Sequence, residues 1–229
     1  MNPVFAIALW GTLFIATHLI LSSSRVRPRL VAILGAQPFR GVYSLVAIGT
    51  LVMLIITFAH HKHAGPMLWY LRDIGAVRAL TFILMLAALI FLAGAFVTPN
   101  PGGIGAPHEA RVRGMLKITR HPSFVAFILF GLAHMLMNGW LGDLFFFGTF
   151  VVLGGAGGIH QDGRKLRELG EPYRRLVAET SFVPGVAIIE GRQRLGAVDI
   201  PWAGIGIGLA LMIVLVVLHP YLFGGHPLQ

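Results

Sequence analysis

The stretch PVFAIALWGTLFIATHLILS, residues 3–22, decides the fold, because none of its side chains carries a formal charge. A helix that crosses a bilayer needs about 20 consecutive, predominantly apolar residues. We therefore expect a first membrane span over Pro3–Ser22. Further apolar stretches predict spans over Val42–Ala59, Ala79–Val97, Pro122–Gly139, Leu144–Gly158 and Trp202–Tyr221. The expected fold is all-α, an integral membrane bundle of six transmembrane helices in one domain over residues 1–229.

The composition supports a membrane protein. Of the 229 residues only 12% are charged, and 56% are hydrophobic. This charged share is about half of that in a typical soluble domain. The chain contains no cysteine, which excludes disulfides and thiolate ligands to a metal or a haem.

The positive charges predict an orientation in the membrane. The first, third and fifth connections between the expected spans hold fifteen of the eighteen Lys and Arg residues. Lys and Arg are enriched in cytoplasmic loops, so both termini should lie on the non-cytoplasmic side. The basic excess is then a topology signal and not a nucleic-acid surface. The first span lacks a clear cleavage site, and we expect it to remain as a helix.

Two polar stretches have their own predicted structures. Gln161–Glu179 has apolar residues at helical spacing, which predicts an amphipathic helix on the cytoplasmic surface, interrupted near Gly170 and Pro172. Thr98–Pro107 is rich in Gly and Pro and should be a flexible connector. The glycines at 154, 155, 157, 158, 204 and 208 favour close packing between helices.

Two histidines, His18 and His134, lie within expected membrane spans. Ionisable residues in the bilayer are rare and usually serve an ion, a proton path or a cofactor. Gly131 and Asn138 lie on the same helix face as His134, and small residues there would leave space for a flat macrocycle. The residues therefore suggest haem b held between two histidines. The alternative is that each imidazole remains neutral and bonds a neighbouring helix.

Other basic residues leave further possibilities open. By helix depth, His121 and His160 are more nearly level with His18 than His134 is. Arg120 precedes a proline that suits a helix start, and it can anchor the interface or hold a phosphate or carboxylate, a haem propionate included. His60, His61 and His63 could bind a metal or could be merely solvated.

The sequence resembles the NnrU family of bacterial membrane proteins and is also similar to the plant zeta-carotene isomerases of the same family. The resemblance covers nearly the whole chain and rests on six segments: Thr17-His18, Phe39–Ser44, Lys117–Pro122, Leu132–His134, Gly163–Leu166 and Ile189–Gln193.

This resemblance implies a protein of the bacterial inner membrane that binds haem b, with His18 and His134 as iron ligands. Two further histidines, His61 and His121, match histidines of the isomerases. The implied role is redox chemistry, isomerisation or assembly of a reductase. The implied partners are the lipid bilayer and components of nitrite and nitric oxide reduction in denitrifying bacteria. The resemblance leaves open whether the protein is an enzyme.

A second resemblance supplies an alternative function. Arg120-His121-Pro122 and the later Leu166–Tyr173 stretch are similar to membrane methyltransferases of isoprenylcysteine and phospholipids. This likeness implies S-adenosylmethionine as the cofactor, bound at the Arg120-His121-Pro122 turn. The chain has Asp162 and Gly163 where that family has two glutamates. A non-enzymatic scaffold is the remaining alternative.

Overall fold

The protein is all-α over the residues that the computed structural model describes, which are 2–98, 112–225 and 227. In chain order the helices are α1 (Pro3–Leu21), α2 (Val26–Leu34), α3 (Ala36–His60), α4 (Gly75–Val97), α5 (Met115–Ile118), α6 (Pro122–Met137), α7 (Leu141–Leu169), α8 (Glu171–Glu179), α9 (Val186–Ile189) and α10 (Trp202–Phe223), with a 3-10 turn at Ala197–Asp199.

Five of these helices, α1, α3, α4, α7 and α10, are long and apolar enough to cross a membrane. Large side chains on α3 and α10 are more than half exposed although they are apolar, as at Leu45, Ile48, Ile213 and Val217. Such surfaces suit contact with lipid chains. The protein is therefore a multi-pass membrane protein, as its composition predicts.

The fourth predicted span, Pro122–Gly139, is shorter than expected. Helix α6 has 16 residues and a length of about 24 Å, less than the roughly 30 Å of a hydrocarbon core. The prediction of an all-α membrane bundle is confirmed, whereas the number of six spans is not.

Two boundaries differ from the sequence prediction. The predicted first loop contains α2, which Gly35 (φ +84°) separates from α3, so α3 begins at Ala36. Helix α7 continues without a break to Leu169, so the first half of the predicted amphipathic helix is the end of the fifth span. No proline interrupts that stretch, and intrahelical hydrogen bonds continue. The predicted break at Gly170 is confirmed (φ +62°), but Pro172 lies in the first turn of α8 and does not interrupt it.

The chain divides into two compact units. Unit 1 comprises residues 1–81 and 130–164, and unit 2 comprises residues 82–129 and 165–229. The core of unit 1 is formed by Ile7, Leu54, Phe146 and Phe147. In a membrane this core is stabilised by close packing, since lipid chains are as apolar as the side chains. The predicted connector at 98–107 lies, except for Thr98, outside the described residues.

Glycine packing in unit 2 follows the prediction for the last span. A Cβ atom added at Gly204 would lie 3.1 Å from the Cα of Gly94, and one at Gly208 would lie 2.8 Å from the Cα of Ile90. Backbone therefore packs against backbone between α4 and α10. In contrast, Gly155 of α7 has nothing within 4 Å of its added Cβ atom.

Candidate histidine site

His18 lies near the end of α1, and a backbone carbonyl fixes its imidazole. The His18 Nδ1 atom is 2.7 Å from the carbonyl oxygen of Phe14. Because a carbonyl oxygen only accepts, Nδ1 carries the hydrogen, and the lone pair of the neutral ring is on Nε2. The ring packs edge-on against Phe14 at 4.3 Å and against Tyr43 of α3 at 5.7 Å between centroids.

His134 of α6 repeats this arrangement. Its Nδ1 atom is 2.9 Å from the carbonyl oxygen of Phe130, four residues earlier, and the two ring centroids are 4.4 Å apart. The imidazole also stacks on Phe147 of α7 at 4.6 Å, with the ring planes 18° apart. Both membrane histidines therefore follow a phenylalanine by four residues and share one tautomer.

Phenylalanine rings connect the two histidines within unit 1. Phe14 lies 6.4 Å from Phe150, and Phe150 lies 5.3 Å from Phe130, between ring centroids. His134 lies at the level of Phe147 on α7. Phe14 lies at the level of Phe150, and His18 is one helical turn further along α1 than Phe14. Along the helix axis the two histidines are thus offset by about 10 Å.

The chemistry of the two imidazoles fits haem ligation. Histidines that bind a metal through one ring nitrogen usually donate the other N–H to a carbonyl or carboxylate, which fixes the ring. His18 and His134 both have that bond, and Nε2 is the nitrogen suited to iron. A haem held by both would require Phe14, Phe130 and Phe150 to rotate out of the space between them.

The structure gives Gly131 and Asn138 defined packing roles. A Cβ atom added at Gly131 would lie 2.6 Å from the carbonyl oxygen of Phe147 and 2.6 Å from a methyl group of Val151. Gly131 thus allows α6 to approach α7 closely. Asn138 donates from Nδ2 to the carbonyl oxygen of His134 at 2.8 Å and closes the end of α6. Their predicted role in lining a cofactor pocket stays a prediction.

Arg120 and His121 belong to unit 2, where they hold the start of α6. The backbone N–H of Arg120 donates to the carbonyl oxygen of Ser181 at 3.0 Å. His121 is only 2% exposed, and its ring lies 5.2 Å from that of Phe182. Asp162 belongs to unit 1. The predicted cofactor contacts of Arg120 and His121 stay predictions.

The metal alternative for His60, His61 and His63 gains no support. Among residues 2–98, 112–225 and 227, no group of three or more His, Cys, Asp or Glu side chains is placed to hold a metal ion. Instead, His63 pairs with Asp143, whose side chain is completely buried. The carboxylate accepts the His63 backbone N–H at 3.1 Å and the Nδ1 hydrogen at 2.7 Å.

The sequence analysis did not predict the His63–Asp143 pair or the other hydrogen bonds that the loop before α4 makes near the end of α6. The loop over residues 61–74 covers the turn between α6 and α7. Trp69 donates from Nε1 to the carbonyl oxygen of Met135 at 3.1 Å, and Arg72 donates to the carbonyl oxygen of Met137 at 2.9 Å and to Oδ1 of Asn138 at 2.8 Å. These bonds satisfy carbonyls that a helix end leaves unpaired. One signal was available, because Asp143 is the only charged residue between Pro122 and Gln161.

Replacing Asp143 with alanine is expected to destabilise unit 1 by about 1–3 kcal/mol, because the two His63 donors lose the buried carboxylate that accepts both of them. The measurement is the free energy of unfolding of the purified protein, obtained by SDS titration in mixed micelles. Asp73→Ala is the control, since it removes an exposed carboxylate from the same loop and should cost no more than about 0.5 kcal/mol. Equal losses in the two variants would contradict the assigned role of Asp143.

A match to a known protein family extends over almost all of the helices described above. Residues 6–227 match the NnrU protein family. The chain is 29% identical over 170 residues to "15-cis-zeta-carotene isomerase, chloroplastic" of Zea mays, which covers 71% of this chain and 45% of the relative. It is 27% identical over 202 residues to the protein of the same name in Arabidopsis thaliana, covering 85% of this chain and 53% of the relative.

The chain thus spans about half the length of the curated relatives it matches. No solved structure matches it. Since the match to the family extends from the first turn of α1 to beyond the end of α10, the chain belongs to the NnrU family.

Proposed function

We propose that this protein is a haem b protein of the membrane with an isomerase-like function, in which His18 and His134 hold the iron. The observation that carries the proposal is the repeated Phe–His arrangement, in which each Nδ1 hydrogen is donated to the carbonyl four residues earlier. The similarity to the isomerases of Zea mays and Arabidopsis thaliana supports the isomerase-like part.

The role of the chain's own residues follows from their positions. The carbonyls of Phe14 and Phe130 hold the imidazoles in the ligating tautomer. The surrounding phenylalanine rings exclude water and keep the site apolar, which lowers the local dielectric around any charge. When bound, haem would supply an iron centre whose redox properties depend on its axial ligands and its burial.

Titration of haemin into the detergent-purified protein tests the proposal. We expect a Soret band that saturates at one haem per chain. A protein that binds no haem but binds S-adenosylmethionine, with dependence on Arg120, would establish the methyltransferase alternative instead. Binding of neither cofactor would overturn the haem proposal and leave a scaffold.

A more specific proposal is that the protein has a role in denitrification, which would require it to bind partner proteins. If the protein assists assembly of a nitrite or nitric oxide reductase, components of that reductase should co-purify with it from membranes of a denitrifying bacterium. Retention of full reductase activity after deletion of the gene, together with no co-purification, would rule out this role.

A further inference from the structure

The loop over residues 61–74 binds the last turn of α6, which contains His134. Trp69 and Arg72 each donate to a backbone carbonyl oxygen there, at 3.1 Å and 2.9 Å, and these carbonyls come one and three residues after His134. The guanidinium of Arg72 is also a cation at the negative end of the α6 dipole, where a positive charge is favourable. The position of this helix end therefore depends on the loop.

Asn138 extends this hydrogen bonding to His134 itself. Its Oδ1 atom accepts a bond from Arg72 at 2.8 Å, and its Nδ2 atom donates to the carbonyl oxygen of His134, also at 2.8 Å. The backbone N–H of Asn138 donates to the same carbonyl oxygen at 2.9 Å. Because a hydrogen bond from a charged donor is stronger than a neutral one, Arg72 fixes the orientation of the amide. Two side chains thus connect the loop to the backbone of His134.

The same loop binds the start of α7, close to the ring on which His134 stacks. The carboxylate of Asp143 accepts two hydrogen bonds from His63 of the loop. The backbone N–H of Gly142 donates to a loop carbonyl at 2.9 Å. Phe147 follows Asp143 by four residues, which is one turn on the same face of the helix. One segment therefore holds both the helix that carries His134 and the helix that carries its stacking partner.

We propose that Arg72 is a positioning residue for His134, which sets how the imidazole lies against Phe147. The His134 bond to the carbonyl oxygen of Phe130 is made within α6, so it fixes the ring only relative to its own helix. The stack on Phe147, with 4.6 Å between centroids, depends on how α6 lies against α7. The inference rests on the proposed function in that His134 is the iron ligand whose position matters.

His18 provides an internal reference, because it lies far from this loop. A Cβ atom added at Gly65 of the loop would lie 2.8 Å from a methyl group of Val4, at the start of α1. His18 comes near the other end of that helix, about 21 Å further along its axis. A change confined to the loop and the end of α6 should therefore alter His134 and leave His18 as it is.

The test uses the full chain without haem, so that it can fail separately from the haem proposal. The protein is labelled with ¹³C,¹⁵N-histidine in detergent micelles, and the ring-proton chemical shifts of His134 are measured. These protons lie over the face of Phe147, whose ring current shifts them upfield. A His134→Gln sample identifies the signals, and Phe147→Leu gives their position without the stack.

Arg72→Gln is expected to move the His134 ring-proton shifts most of the way toward their values in Phe147→Leu. The end of α6 then loses both of its bonds from the guanidinium, while the His18 signals should stay unchanged. Arg78→Gln is the matched control, since it removes the same charge a few residues later, in the first turn of α4. This control should leave the signals of both histidines unchanged.

Two results would overturn the proposal. One is an unchanged His134 signal in Arg72→Gln. The other is an equal change at His18 and His134, because the substitution would then loosen unit 1 as a whole. If Arg72→Gln does not fold, Trp69→Phe answers the same question, since it removes the Nε1 donor and keeps an aromatic ring. It should move the His134 shifts in the same direction but less, and no movement would equally overturn the proposal.

Discussion

The Gly131→Ala variant is expected to lose about 1–3 kcal/mol of stability and most of its haem binding. The added methyl group would lie 2.6 Å from the carbonyl oxygen of Phe147 and 2.6 Å from Val151. Neither contact is with the end of a flexible side chain, so α6 must move away from α7. Since His134 stacks on Phe147, the same movement displaces the imidazole. SDS titration and haemin titration measure the two losses.

Gly155→Ala is the matched control on α7. Its added methyl group has nothing within 4 Å, and alanine is a better helix former than glycine by about 1 kcal/mol. This variant should be as stable as the natural protein or more so, with unchanged haem binding. Wild-type stability in Gly131→Ala would show that α6 and α7 do not approach as described.

Replacing either membrane histidine with glycine is expected to remove the six-coordinate haem spectrum, and added imidazole should restore it. Glycine leaves a cavity where the side chain stood, and free imidazole supplies the same ring nitrogen without the link to the helix. His18→Gly and His134→Gly should behave alike, because the two rings have the same hydrogen bond and tautomer. The Soret position and intensity, before and after imidazole addition, give the result.

His219→Gly is the control for this pair. The His219 ring nitrogen also lies near a backbone carbonyl, that of Gly225 at 2.9 Å, but the residue belongs to unit 2. Its replacement should leave the spectrum unchanged. If His134→Gly retains the wild-type spectrum while His121→Gly or His160→Gly loses it, the iron has a different second ligand.

Much of the fold follows from the sequence because membrane helices depend on local properties. Length and apolarity alone locate α1, α4 and α10 to within a few residues. Helix ends are less predictable, since a helix continues until a residue such as Gly170 stops it, whether or not it has left the apolar region. That is why α7 extends to Leu169.

The candidate site is only partly predictable. The rarity of charge in the bilayer is enough to select His18 and His134 from the sequence. The rings that separate them are not predictable, because the contact of Phe14 with Phe150 depends on the register between α1 and α7. The pairing of His63 with Asp143 joins residues 80 positions apart, and helical periodicity carries no information about it.

The most direct test of the central claim is the electron paramagnetic resonance spectrum of the ferric, haem-loaded protein. If His18 and His134 bind one iron, the natural protein gives a low-spin signal typical of two imidazole ligands. His18→Gly and His134→Gly then each give a high-spin signal. A high-spin spectrum in the natural protein, or a low-spin spectrum that survives both single replacements, would contradict the claim.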